Sequence, residues 1–168
     1  MTRFLIKIFI LAFAVGFIGL TNNYAQDSKV PSGWKKVSIC NISFIVPKKL
    51  KNENAEGIDS CVASFESSKI GLGIDSGWYG SASTKYERYI DFKEESIEIN
   101  GKKAQLATYR HTQMDAKRNF IARIYVVLNE PKEEGMGMTT SLNMTIELRS
   151  EKDLETARRI FQSIRFNN

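Results

Sequence analysis

The dipeptide Asn100-Gly101 lies between two strand-like runs and constrains the fold more than any other feature of the chain. Both positions tolerate the positive φ angles of a type I′ turn, whose twist matches that of paired antiparallel strands. The flanking runs, ESIEI and KKAQLATYRH, are rich in alternating apolar residues. Together they predict a β-hairpin.

Much of the remaining chain shows the two-residue alternation of half-buried strands. Residues 37–47 are predicted as one strand ending at Pro47, and 61–67 with 69–77 as a hairpin. Two long strands follow at 119–130 and 139–149, the second with Leu142, Met144, Ile146 and Leu148 on one face. The polar run 48–60 predicts a loop. Residues 81–95 predict an irregular connection with one helical turn, in which Tyr86, Tyr89 and Ile90 face inward.

The C-terminal segment has the periodicity of an amphipathic helix. Ser150 suits the N-cap position, and the apolar stripe consists of Leu154, Ala157, Ile160, Phe161 and Ile164. A helix of this kind packs on a sheet. We therefore expect one α+β domain over residues 34–166, with a mainly antiparallel sheet and a C-terminal helix packed on it.

The first 25 residues have the layout of a secretory signal peptide. Basic Arg3 and Lys7 precede an apolar run, 8–20, and a polar stretch closes on Ala25. The alternative is an N-terminal membrane anchor, but the run is shorter than the roughly 20 residues that cross a bilayer. Cleavage would leave residues 26–33 as a linker. The sequence thus predicts a secreted or periplasmic protein without a stable membrane span.

The charge balance bears on the partners of the mature chain. The full chain has a net charge of +5, and loss of the signal peptide leaves about +3. Basic residues interleaved with aromatic ones, as nucleic-acid-binding surfaces require, are not evident. We expect no nucleic-acid partner, and a protein or a small ligand instead.

Two cysteines, Cys40 and Cys61, lie in the mature part. In an exported chain such a pair favours a disulfide over a metal site or a nucleophile. Two buried free thiols are the alternative.

The run GLGIDSGWYGS, residues 71–81, looks most like a functional site. Its Asp-Ser-Gly at Asp75 matches the catalytic loop of aspartic peptidases, which need two carboxylates that share a proton. The chain has one such motif, so it could supply the two carboxylates only as a homodimeric hydrolase. Glycines at alternate strand positions indicate a bulge or a close backbone approach. The usual burial of tryptophan and tyrosine favours the edge of the core for the aromatic residues of this region. The alternative is a contact surface made of Asp75, Trp78, Tyr79 and Tyr86.

The chain lacks the residues that other catalytic and cofactor-binding sites require. His111 is the only histidine, so a multi-histidine metal site is impossible, and no nucleophile-elbow pattern accompanies it. The glycines of 71–73 lack the third glycine of a phosphate loop. We expect no catalytic, cofactor-binding or metal-binding residues.

The order of the elements suggests a family. The strand FIVP (44–47), the hairpin IEINGKKA (97–104) and the final helix RIFQSIRF (159–166) resemble the Mog1/PsbP-like α/β/α sandwich, particularly small exported bacterial proteins. The resemblance spans about residues 34–166 and implies a fold used for binding, as in photosystem II accessory subunits and a GTPase-binding import factor. It brings no catalytic residues. The resulting expectation is a non-enzymatic exported binding or accessory protein. The alternatives are the aspartic-type hydrolase using Asp75 and an exported inhibitor or immunity-type protein.

Overall fold

The computed structural model describes residues 30–78, 80–112, 117–129 and 139–167, which form ten β-strands, a 3₁₀ turn and one α-helix. The predicted signal peptide and Tyr79 lie outside the described residues. The strands are β1 Trp34–Ile39, β2 Ile42–Pro47, β3 Lys51–Asn52, β4 Cys61–Glu66, β5 Ile70–Gly77, β6 Tyr89–Ile99, β7 Lys102–His111, β8 Phe120–Asn129, β9 Thr140–Leu148 and β10 Arg165–Phe166. The 3₁₀ turn, Glu151–Asp153, leads into the helix α1, Leu154–Gln162.

The strands form two antiparallel sheets. The large sheet has the order β3-β4-β5-β9-β8-β7-β6, and the small sheet has the order β1-β2-β10. Each strand pairing in both sheets is antiparallel. The predicted α+β class, with a mainly antiparallel sheet and a C-terminal helix, is confirmed.

The predicted hairpins form. Asn100 and Gly101 have φ angles of 49° and 80°, as a type I′ turn requires, and β6 pairs with β7 from Ile99 and Lys102 outward. The second predicted hairpin is β4 with β5, in which Ala63 pairs with Ile74. Local turn chemistry and alternation were sufficient to define both.

Two predictions for residues 37–60 are wrong. The expected single strand at 37–47 is itself a hairpin, because Cys40 and Asn41 take φ angles of 52° and 57° and reverse the chain between β1 and β2. The expected polar loop contains β3 and the fully buried Leu50. One large apolar side chain in a polar run was enough to fix that run to the core.

The core lies between the large sheet and a second layer formed by the small sheet and α1. Every second residue of the central strands faces it, as predicted for Leu142, Met144, Ile146 and Leu148, which are all fully buried. The second layer contributes Phe44 and Val46 from β2 and the predicted stripe of the helix, with Ile164 just beyond its end. Ser150 precedes the 3₁₀ turn without capping a backbone amide; its hydroxyl lies 3.2 Å from Asp153 Oδ2.

The other side of the large sheet, which we call the outer face, is crossed by residues 80–88, the strap. Gln105 on β7 holds it by accepting a hydrogen bond from the Ser83 amide at 2.7 Å and donating one to the Ser83 carbonyl at 3.1 Å. The expected helical turn is absent from this segment, and Tyr86 and Ile90 are exposed, contrary to the prediction that they face inward. Tyr89 is half-buried. Hydrogen bonds to side chains of the sheet, which no local pattern reveals, fix the strap.

Candidate binding groove

An open groove of about 860 Å³ lies at one end of the molecule, where the two layers meet. Its walls are the β1–β2 turn, the segment before β4, the end of β5 and the C-terminal strand. The residues that line it are Cys40, Asn41, Ile42, Ile58, Asp59, Ser60, Cys61, Ser76, Gly77, Trp78, Lys102, Leu128, Asn129, Thr140, Phe166 and Asn167.

A disulfide between Cys40 and Cys61 ties two of these walls together. It joins the β1–β2 turn of the small sheet to the first residue of β4 in the large sheet, with a Cα–Cα distance of 5.4 Å. The predicted bond is therefore present. The free-thiol alternative is excluded, since the described cysteines are both bonded.

Two hydrogen bonds, one of them to a side chain, fix the C-terminal strand, which forms another wall of the groove. The Asn167 amide donates to the Asn41 carbonyl at 2.9 Å, and the Phe166 amide donates to Asn100 Oδ1 at 3.0 Å. The C-terminal strand is thereby held between the β1–β2 turn and the β6–β7 turn. Asn100 therefore has two roles. Its positive φ angle allows the turn, and its side chain supports a wall of the groove.

Gly77 allows the segment before β4 to lie against the end of β5. A Cβ atom at this position would come within 2.6 Å of Ser60 Cβ, so a larger residue would push Ile58–Ser60 away. The close backbone approach expected at Gly71 and Gly73 is absent, because a Cβ at Gly73 would meet open space and the nearest atoms to one at Gly71 belong to side chains. A close backbone approach occurs instead at Gly77. Gly77 is followed by Trp78, which places the indole at the groove edge.

The groove exposes apolar surface and few charges. Ile58 is fully exposed and Trp78 is 51 % exposed, so both present large side chains to solvent. The two charged lining residues are Asp59 and Lys102, and the Lys102 amine is already engaged, donating to the Leu128 carbonyl at 3.1 Å and lying 5.8 Å from the centre of the Phe166 ring. Thr140 Oγ1 is buried there and has no hydrogen-bond partner within the described ranges.

The structure separates the residues expected to share one contact surface. Trp78 follows Gly77, which pairs with Ser141 at the start of β9. Tyr86 precedes β6, four strand positions away, and Tyr89 pairs with His111 at the opposite end of the strands. Along the strands the two ends are about 20 Å apart. Trp78 lines the groove, whereas Tyr86 does not.

Asp75 lies on the outer face of β5, outside the groove lining. It is exposed, and its cross-strand neighbours are Val62 and Asn143. Neither neighbour is a carboxylate. Asn143 Oδ1 instead accepts a hydrogen bond from Arg123 Nη2 at 2.7 Å. Within the chain, the residues paired with Asp75 therefore supply no second carboxylate for the shared proton of aspartic-peptidase chemistry.

Tyr86 belongs to an aromatic cluster at the β6 edge of the outer face. Its ring meets Tyr89 edge-on at 5.3 Å, and Tyr89 stacks on Tyr109 at 3.9 Å. Burial, with a further contribution from Tyr89, raises the pKa of the Tyr109 hydroxyl, which stays protonated at neutral pH. Arg88 lies 5.6 Å from the centre of the Tyr86 ring. The cluster covers Ala107 and Ile121, so it seals a small second core.

A charged group lies at the end of the large sheet away from the groove. Arg118 forms ion pairs with Glu66 and, at 3.9 Å, with Glu147. Burial raises the pKa of the Glu147 carboxyl, Arg118 opposes the shift and Glu66 adds to it. Side chains of this group also fill the space beside Gly71. Because both carboxyl groups lie against the Arg118 guanidinium, we assign this group a structural role.

The sequence did not reveal Ile58 or Phe166 as groove residues. An isolated isoleucine in a polar run was the available signal for Ile58. Phe166 was predicted as the end of the helix pattern, but it lies in β10.

The described ranges contain no group of three or more histidine, cysteine, aspartate or glutamate side chains placed to bind a metal ion. None of the helices in the same ranges is long and apolar enough to cross a bilayer. No protein-family profile matches the chain, and no curated protein matches it.

Proposed function

We propose that the protein is exported and acts by binding, and that its groove receives an extended segment of a protein partner. The observation that carries the proposal is the pair of exposed apolar side chains, Ile58 and Trp78, on the groove lining. Large apolar side chains exposed beside a concave surface are typical of interaction sites, and tryptophan is enriched among the residues that dominate binding energy.

The chemistry of the groove favours a protein segment over a charged small molecule. The groove is open, and the amine of Lys102 is already engaged by Leu128 and Phe166. Apolar side chains of a partner would contact Ile58 and Trp78. Its backbone would find the exposed polar side chains of Asn41 and Asn129 on the groove lining.

Export is supported by the disulfide and by the layout of residues 1–25. Disulfides form and persist in oxidising compartments such as the periplasm or the extracellular space. The Cys40–Cys61 bond is compatible with such a location. Since this bond joins two walls of the groove, an oxidising compartment is also where the groove would be assembled.

We also propose that the chain is a Mog1/PsbP-like sandwich. The order of its elements supports this: a strand ending at Pro47, the Asn100-Gly101 hairpin, two long strands and a final helix. The described residues depart from an α/β/α arrangement on the outer face, which the strap crosses without a helix. This family relation implies binding and supplies no catalytic residues.

Replacing Trp78 with alanine is expected to weaken the partner complex about 30-fold, equivalent to about 2 kcal/mol, because a half-exposed indole becomes buried only on binding. The free energy of unfolding is expected to change by less than about 1 kcal/mol. The measurement is a titration of the partner that co-purifies with the protein from its own cells, together with urea unfolding of each variant.

Tyr86→Ala is the matched control, since Tyr86 is 53 % exposed against 51 % for Trp78 but lies at the far edge of the sheet. It should leave the affinity unchanged. If both variants lost the same affinity for the partner, the contact would lie elsewhere. If Trp78→Ala lowered the free energy of unfolding and left the affinity unchanged, the indole would be part of the core.

A further inference from the structure

Lysines are concentrated in one short part of the chain, although the net charge is modest. Residues 34–52 contain five lysines and no acidic residue. They span β1, β2 and β3, which lie in the small sheet and at one edge of the large one. The local charge is therefore much more positive than the average over the chain suggests.

The fold brings part of this run together around Trp34. In the β1–β2 ladder Trp34 pairs with Pro47, and Lys36 lies two residues along the same face. The Leu50 amide donates to the Pro47 carbonyl at 2.9 Å, so Lys48 and Lys49 occupy the tip of a β-turn beside Trp34.

Arg159 on α1 adds a fourth cation, with its guanidinium carbon 4.8 Å from the centre of the Trp34 ring. We call Trp34, Lys36, Lys48, Lys49 and Arg159 the basic patch. The four cations are all exposed. In the described ranges, none of them forms an ion pair with a carboxylate. Glu155, one turn before Arg159 on α1, is the acidic residue beside the patch on that helix.

We propose that the basic patch docks the protein on the anionic lipid headgroups of a membrane surface. A cluster of lysines and arginines is attracted to an anionic leaflet. The Trp34 indole among them packs partly against the core and is partly exposed, which suits the headgroup level. The patch lies on a strand face and a turn tip, and none of its residues lines the groove or the cleft beside Arg110 and Arg149. Four exposed cations spread over a strand, a turn and a helix match the extended anionic surface of a bilayer better than they match a single acidic peptide.

The position of the patch in the chain supports a membrane over an acidic protein. The apolar run 8–20, predicted as part of a secretory signal peptide that brings the chain to a membrane for export, ends 14 residues before Trp34. The patch is thus the first part of the fold to follow the predicted signal peptide. The inference uses the proposed export, but it does not depend on the groove, which lies around the disulfide and Trp78.

The test is binding of the protein, as isolated from producing cells, to vesicles of phosphatidylglycerol and of phosphatidylcholine. The patch contribution is the ratio of the two partition coefficients, because any contribution from the apolar run is common to both. Each lysine near an anionic surface contributes about fivefold. Lys48→Gln/Lys49→Gln should therefore lower the ratio about 25-fold, and higher salt should lower the ratio of the unmodified protein.

Lys85→Gln/Lys103→Gln is the matched control, because it removes the same charge from exposed positions on the outer-face side. It should leave the ratio unchanged. Trp34 supplies a second readout: in a Trp78→Phe background it is the remaining tryptophan, and its emission should shift to the blue on phosphatidylglycerol vesicles.

Equal ratios for the two double variants would overturn the proposal, since the effect would then follow total charge. Lysine-dependent binding to polyglutamate without binding to phosphatidylglycerol would also overturn it, in favour of an acidic protein partner. Loss of groove-dependent partner binding would leave these results untouched, so the two proposals can fail separately.

Discussion

Replacing Phe44 with alanine is expected to lower the free energy of unfolding by about 3–5 kcal/mol, the range for truncation of a fully buried aromatic side chain. Phe44 is 1 % exposed. Its ring meets Phe65 edge-on at 6.2 Å, which joins the small sheet to the large one across the core. Since small domains are stable by only about 5–15 kcal/mol, this variant should be close to unfolding.

Urea unfolding followed by circular dichroism measures the effect, and Tyr86→Ala serves as the aromatic control. Tyr86 is exposed, so its truncation should change the free energy of unfolding by less than about 1 kcal/mol. If Phe44→Ala were no more destabilising than Tyr86→Ala, the small sheet would not be packed on the large sheet as described.

Removal of the disulfide by Cys40→Ser/Cys61→Ser is expected to lower the free energy of unfolding by about 3 kcal/mol. The bond closes a loop with a sequence separation of 21 residues, which restricts the unfolded chain. Partner binding should weaken as well, because the bond joins two walls of the groove. Reduction of the unmodified protein should reproduce both effects.

The double variant also shows whether the reductant affects stability by any route other than cleavage of the disulfide. The chain has two cysteines, so dithiothreitol should not change the stability of the variant. Unfolding curves that coincide for the oxidised and the reduced unmodified protein would show that the bond does not contribute to the fold in solution.

The sequence revealed most of the fold wherever local chemistry determines the backbone. Asn100-Gly101 fixed one hairpin, and the alternation of Leu142 to Leu148 fixed the orientation of a central strand. The failure at 37–47 has a physical reason. The turn uses Cys40 and Asn41 at positive φ; asparagine tolerates that conformation but cysteine is not a usual turn residue. The alternation of apolar and polar residues therefore continues through the turn, and it predicted one strand where two strands lie.

The candidate site was only partly predictable. Trp78 and the disulfide were identified, since a tryptophan beside glycines and a paired set of cysteines are local signals. The separation of Trp78 from Tyr86 was not, because it depends on the strap crossing the whole outer face. The basic patch was also missed. Net charge averages over the chain, whereas the patch depends on β1, a turn and a distant helix residue, Arg159.

The central claim is that the groove is the binding surface, and photo-crosslinking from the groove tests it most directly. A photoreactive amino acid at Ile58, which is fully exposed, is compared with the same amino acid at Ile90, an exposed position on the far edge of the sheet. Both proteins are irradiated in cells that produce them. We predict one discrete adduct of higher mass from position 58 and none from position 90. Adducts from position 90 alone, or equal yields from both positions, would contradict the account.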